Sequence, residues 1–193
     1  MKAKQTEPWK IPRPANCECG GRLRVATLGE YDFSDYVGFK VTLTNMTGLR
    51  CDKCHGETLV GGMVNAALNL TLRRISESPR RLHREEAKFL RRNLGITQEE
   101  LAVRMGINRV TVAKWECGDE PISPQHDYIL RGMILTGLAV LHGIPREAVD
   151  KTLRSVFGAV RTLPPMNTTV IDAHDLDQIG FGPFRKNERQ VGV

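Results

Sequence analysis

An α+β architecture is what this 193-residue sequence predicts: a small N-terminal β unit, a mainly α-helical domain after it, and a C-terminal extension. Three observations predict it. Four of the five cysteines fall in two pairs within the first 54 residues, with alternating apolar and polar residues between them. From about Leu59 the apolar residues change to helical spacing. Past Leu163, prolines and glycines punctuate the chain and no period is sustained.

Composition narrows the class. Hydrophobic residues make up 40% and charged residues 26%, a globular rather than a disordered mix. No run approaches the roughly 20 apolar residues that cross a bilayer, so no membrane partner is expected. The opening MKAKQTEPWKIPRP is charged and proline-punctuated, without the apolar core of a secretory signal. A reducing cytoplasm is the expected setting, where paired cysteines serve as metal ligands more readily than as disulfides. The net charge of +6 and the pI near 9.2 gain meaning only once the charges are placed.

Residues 1–60 are expected to form a zinc ribbon with four cysteine ligands. Cys17 and Cys19 on one side, Cys51 and Cys54 on the other, are 31 residues apart and meet if the chain between them folds as a small antiparallel sheet. Val41 and Leu43 alternate with Thr42 and Thr44, the period of a strand. Arg22–Thr27 and Tyr31–Val37 are weaker strand candidates, separated by Gly29. Four thiolates around one Zn²⁺ replace the core such a small unit lacks. The spacing departs from two ordinary knuckles, because Cys17-Glu18-Cys19 has one spacer residue where Cys51-Asp52-Lys53-Cys54 has two. Either the first loop adjusts, or His55 replaces one ligand. A catalytic zinc needs an open position and a nearby acid or base, and the pattern offers neither, so a structural Zn²⁺ is expected.

Residues 61–82 read as a basic connecting helix and linker, with Val64, Leu68, Leu72 and Ile75 at helical spacing and Pro79 at its end. Residues 73–92 hold eight Arg and Lys against three Glu, an excess of +5. That run is either a solvated face or a stripe that contacts a nucleic-acid backbone and makes binding steeply salt-dependent.

Residues 83–142 carry the most informative pattern. Arg84–Asn93 supplies a first helix with Ala87, Leu90 and Leu94 inward. Thr97 N-caps a second, with Glu100 completing a capping box. Leu101, Ala102 and Met105 form its inward stripe, and Ile107, Val112 and Trp115 that of a third helix, about Arg109–Glu116. Ala102 permits a close crossing, Gly106 suits the turn and Gly118 the C-cap. This is a helix-turn-helix, and its third helix lies in the major groove of DNA. Arg109 and Lys114 face outward to pair with guanine or phosphate, and Val110 can meet a thymine methyl. Thr111 or Asn108 can hold phosphate, and so can Gln98 with the helix N-terminus behind it. Pro124 then opens a helix running toward Leu141, with Ile129, Leu130, Met133, Ile134, Leu138 and Leu141 as its apolar face.

Residues 143–193 form the extension, helical from Pro145 to about Phe157 and irregular afterwards. Asp172, His174, Asp175 and Asp177 read as solvated tail charge rather than a second metal site. Cys117 stands alone and reads as a bystander. No Ser/His/Asp arrangement, phosphate-cradling glycine loop or HExxH is present, so no enzyme is expected.

A cysteine-pair ribbon, a connecting segment and this helix-turn-helix, in that order, resemble the MqsA family of antitoxins with the YgiT-type zinc finger. The resemblance spans about residues 15–142. It rests on Cys17, Cys19-Gly20-Gly21, Gly48-Leu49-Arg50-Cys51 with Cys54, and Leu94-Gly95-Ile96-Thr97-Gln98 through Trp115-Glu116-Cys117-Gly118. The helix-turn-helix half alone is similar to the wider Xre/Cro-like group. The resemblance implies a homodimer on a palindromic operator, usually in the promoter of its own operon, and a structural zinc. It also implies a ribbon able to bind a partner, in true antitoxins an mRNA-cleaving toxin. Val110 and Lys114 fall where family members place base-reading side chains, and valine cannot hydrogen-bond there, so the operator should differ. Three features depart from the pattern: the shortened first cysteine pair, the basic connector, and about fifty residues after His142. The leading expectation is a repressor of its own operon; the alternative is an interaction protein that neutralises a toxin ribonuclease, with DNA binding secondary.

Overall fold

The computed structural model describes residues 16–59, 61–142, 145–160 and 169–172. In chain order these form β1 (Leu23–Asp32), α1 (Ser34–Val37), β2 (Val41–Cys51), β3 (Glu57–Thr58), α2 (Gly61–Glu77), α3 (Arg84–Asn93), α4 (Gln98–Met105), α5 (Arg109–Cys117), α6 (Pro124–His142), α7 (Arg146–Val160) and β4 (Thr169–Asp172). Strands and cysteines come first and helices follow, the mixed architecture expected. The described residues fall into two compact units, one of 16–32, 42–59, 61–68 and 170–172, the other of 33–41, 69–142, 145–160 and 169.

The first unit is built on β2. It pairs antiparallel with β1 from Leu23↔Cys51 to Asp32↔Thr42, and with β3 at Leu49↔Thr58 and Arg50↔Glu57. Alternation along β2 buries Leu43 and leaves Thr42 and Thr44 half-exposed. Gly29 does not end β1, because the pairing offset of Leu28↔Met46 is kept at Glu30↔Thr44. The strand expected over Tyr31–Val37 is corrected accordingly. Its first two residues end β1, and Ser34–Val37 form one helical turn, α1. That turn buries Val37, and Ser34 Oγ accepts from the Val41 N–H at 3.2 Å.

The tail, expected to lack regular structure, contributes β4, which pairs with β2. Thr44 Oγ1 donates to Asp172 Oδ2 at 2.9 Å and Asn45 Nδ2 donates to the same oxygen at 2.8 Å. Asp172 is thus a strand anchor rather than free tail charge. The β-branched run Thr168–Ile171 is only four residues, the lower limit for a strand, and its partner lies far off in sequence. His174, Asp175 and Asp177 lie outside the described residues.

The second unit is helical. Ala87, Leu90, Leu101, Ala102, Val112 and Trp115 are buried, as are Leu130, Ile134 and Leu138 on α6. The inward side of α6 differs from the apolar pattern. Asp127, Leu130, Arg131, Ile134, Leu135, Leu138 and Ala139 are buried, at steps of three and four, whereas Leu141 is exposed. Two charged residues belong to the inner face, which shifts it away from the one that hydrophobicity alone selects.

Arg131 explains why. It is fully buried and ion-paired with Asp127 one turn earlier. Its Nη1 donates to the carbonyls of Ile75 at 2.6 Å and Ser78 at 2.9 Å, and its Nη2 to that of Arg80 at 2.5 Å. Asp127 Oδ2 accepts from the Leu82 N–H at 2.7 Å. The guanidinium thus caps the C-terminal end of α2, where carbonyls lack helical partners and the dipole favours a cation.

Candidate metal centre and nucleic-acid interface

The four paired cysteines meet in the first unit, all four sulfurs lying within 4.8 Å of one another. Cys17 Sγ is 3.6 Å from Cys54 Sγ, and Cys19 Sγ is 3.5 Å from Cys51 Sγ. Tetrahedral coordination with metal–sulfur bonds of about 2.3 Å requires sulfurs about 3.8 Å apart, so the residues fit one ion. Four sulfurs suit zinc or iron rather than a hard oxygen-seeking cation. His55 stands outside this cluster, exposed and at φ 58°.

The one-residue spacer is accommodated by the turn after Cys19. The Gly20 N–H donates to the Cys17 carbonyl at 2.8 Å and the Cys17 N–H to that of Gly21 at 2.9 Å. Gly21 lies so close to the opposite loop that a Cβ there would meet Cys51 Sγ at 2.5 Å and Lys53 Cβ at 2.7 Å. The two loops are also laced together, since the Arg22 N–H donates to Asp52 Oδ1 at 2.8 Å. Gly21→Ala should therefore lower metal affinity at least tenfold, because the added methyl overlaps a ligand sulfur and backbone-attached carbon rather than a movable side-chain tip. Competition with a chromogenic chelator measures this, and an unchanged affinity would contradict the packing.

The thiols are tuned against one another. N–H groups of Cys54 and Lys53 directed at its sulfur draw Cys51 down to about 6. The Gly21 N–H acts in the same direction on Cys19, but thiol hydrogen bonds from Cys54 and Cys51, with burial, outweigh it and hold Cys19 up to about 12. Cys51 is thus prepared as a thiolate, whereas four thiolates together need a cation between them.

In the second unit α3, α4 and α5 form the helix-turn-helix. Thr97 caps α4 by accepting from the Glu100 N–H at 3.1 Å, while Glu100 accepts from the Thr97 N–H at 2.7 Å. The Thr97 N–H, and after it the Thr97 hydroxyl donating to the same oxygen at 3.0 Å, hold the Glu100 carboxyl below its usual range. Gly106 ends α4 at φ 67° and Gly118 ends α5 at φ 89°, both left-handed, as the pattern requires.

A charged clasp that the sequence pattern does not announce joins the three helices. Arg91 of α3 holds Glu116 of α5 through Nε at 2.6 Å and Nη2 at 3.0 Å, and Gln98 of α4 donates to the same carboxylate at 2.9 Å. Arg91 Nη1 also donates to the Ile96 carbonyl at 2.7 Å. Burial pushes Glu116 up, but the Arg91 and Gln98 bonds overcome this and leave its carboxyl below the usual range. A second pair is buried nearby in sequence: Arg80 grips Glu86 at 2.7 and 2.5 Å. The basic run of 73–92 is accordingly neither wholly a solvated face nor wholly a contact stripe, because Arg80 and Arg91 are interior clamps.

The expected DNA-contacting residues occupy these places. Arg109 is exposed at the first turn of α5, and Val110 is 55% exposed beside it. Thr111 is half-buried on the next position. Asn108 is the α5 N-cap, its Oδ1 accepting from the Val110 N–H at 2.8 Å, a role that an Asn before an apolar run signals. Gln98 is half-buried with its amide given to Glu116. Lys114 is about half exposed and donates to Glu120 Oε1 at 2.5 Å, which raises its pKa. Cys117 is exposed, and its carbonyl accepts from Arg84 Nη1 at 3.0 Å.

Residues 88–126 match the helix-turn-helix family HTH_3. The match takes in most of α3, all of α4 and α5, and the start of α6, about a fifth of the chain. No curated protein and no solved structure matches the chain. HTH_3 is a family of DNA-binding regulators, so the matched segment is similar to the DNA-binding element that transcription regulators carry. Among the described residues no helix is long and apolar enough to cross a membrane.

Proposed function

We propose that the chain is a sequence-specific transcriptional repressor of its own operon, binding a palindromic operator as a homodimer, with a structural Zn²⁺ on Cys17, Cys19, Cys51 and Cys54. The observation that carries the reading is the outward row of α5. Arg109, Val110 and Lys114 reach solvent from a short helix whose other side is packed through Val112 and Trp115 and clasped through Glu116. A rigidly held helix with an exposed mixed row is what groove reading needs, because base discrimination depends on placing donors within a few tenths of an ångström.

In this reading Arg109 offers a bidentate donor pair to guanine, Lys114 a point donor to guanine, and Val110 an apolar contact to a thymine methyl. Thr111 contributes a hydroxyl to phosphate. Asn108 and Gln98, whose side chains serve the fold, act on phosphate through Asn108 Nδ2 and through the N–H groups opening α4. The zinc supplies rigidity to the ribbon and no chemistry. Residues 1–60 are the ribbon, 61–82 the connector, 83–142 the reader and 143–193 an extension. A toxin-neutralising role for the ribbon rests on the resemblance to the MqsA antitoxins alone.

Protection of the upstream region of its own gene tests this. The expected footprint has two inverted half-sites with centres about 10–10.5 base pairs apart, or a multiple of that. Unpatterned protection along every fragment would contradict it.

A further inference from the structure

Of the charged groups on the outer side of α5, Lys114 is tied down in a way that bears on specificity. The segment after the helix folds back onto it. N–H groups of Gly118 and Asp119 donate to the Lys114 carbonyl at 3.0 Å each, with that of Glu120 at 3.4 Å. The Lys114 ammonium then closes the ring by donating to Glu120 Oε1. Ile122, buried just beyond Pro121, anchors the far end of the segment.

An exposed lysine–carboxylate pair ordinarily contributes little, because ordering two long side chains offsets the attraction. Here the main chain at both ends is already fixed by the capping turn, so only the side chains remain to be ordered. Lys114 and Glu120 are about half exposed, leaving the rest of the ammonium open to a ligand.

From this ring we infer that Glu120 is a specificity-determining residue, acting through Lys114 to suppress binding to random DNA more than to the operator. The inference rests on the reading that Lys114 contacts a base. An ammonium carries three donors, so Lys114 can keep Glu120 and still donate to guanine O6 or N7. A backbone phosphate brought to the same ammonium sets a second anion beside the Glu120 carboxylate, which neutral guanine does not, so that contact costs either this repulsion or the loss of the Glu120 pair. Random DNA, bound through phosphates alone, bears that cost in full. The carboxylate works as a repulsive element against the wrong partner, one of the two routes to discrimination.

The test uses the full-length, metal-loaded protein, with a duplex selected from a randomised library and a scrambled duplex of the same composition. For Glu120→Gln, the scrambled duplex should bind about fivefold tighter at about 50 mM salt. The slope of log affinity against log salt should steepen by about 0.9, one additional phosphate contact. Affinity for the selected duplex should change less than about twofold, so the discrimination ratio falls. Glu120→Asp should stay close to the parent protein, and Glu120→Gln in a Lys114→Met background should change scrambled binding less than about twofold. Equal tightening on both duplexes, no tightening on the scrambled one, or the same tightening without Lys114 would each overturn the role of Glu120. A selection that enriches no sequence would overturn the proposed function together with it, whereas a clear enrichment with equal gains overturns the Glu120 role alone.

Discussion

Removal of the metal, or Cys51→Ser, is expected to unfold the cysteine-bearing end of the first unit. The last β1–β2 register pair is Leu23↔Cys51, so the two cysteine loops project past the end of the ladder. Beyond it only a few bonds hold them, among them the Arg22 N–H to Asp52 and the turn around Gly20. Small structural zinc sites contribute about 10–16 kcal/mol of apparent binding free energy at neutral pH, far more than those bonds replace. Amide exchange should lose protection over residues 16–24 and 49–56 on chelation, while the amides of α3 to α5 keep theirs. The dependence on pH has a defined sign. Binding displaces protons from thiols, Cys19 being the most reluctant at about 12, so metal is retained at high pH and lost as pH falls. Protection that is unchanged after chelation would show that the sulfur cluster does not depend on an ion.

The second large effect is Arg131→Ala. The substitution leaves the Asp127 carboxylate buried without its cation and uncovers the carbonyls of Ile75, Ser78 and Arg80 together. Breaking a buried pair by removing one partner costs about 3–5 kcal/mol, a large part of the roughly 5–15 kcal/mol that holds a typical domain. At roughly 4–8 °C per kcal/mol for a domain of this size, thermal unfolding followed by circular dichroism should fall by more than about 10 °C. A loss under about 1 kcal/mol would mean that water reaches these carbonyls and that Arg131 does not cap α2.

These two sites were unequally legible in the sequence, and the reason is range. Thr97 with Glu100, Gly106 and Gly118 act on their own helix ends, so residue type and a spacing of three or four state the geometry directly. The cysteine cluster was legible for a related reason: two cysteine pairs at close spacing state a ligand set directly, even though the one-residue spacer left His55 open as a substitute. Arg131 to Ile75 spans 56 residues and Arg91 to Glu116 spans 25, and nothing local distinguishes these arginines from solvated ones. The basic run reads as a surface for that reason, when Arg80 and Arg91 are interior. The same limit hid β4, whose four residues take their structure from β2. Gln98 and Asn108 show a further limit. Their type and position suit DNA contact, yet Glu116 and the α5 N-terminus engage them within the fold.

Base reading by α5 is tested by comparing a selected duplex with its scrambled counterpart for Arg109→Ala and Lys114→Ala. Each loses a base-directed donor, so each should weaken the selected duplex by about 1–3 kcal/mol, roughly 5- to 150-fold, and the scrambled duplex by much less. Both variants should unfold at temperatures close to the parent protein, because neither side chain is part of the core beneath α5. Equal losses on the two duplexes would contradict base reading and make these residues backbone contacts.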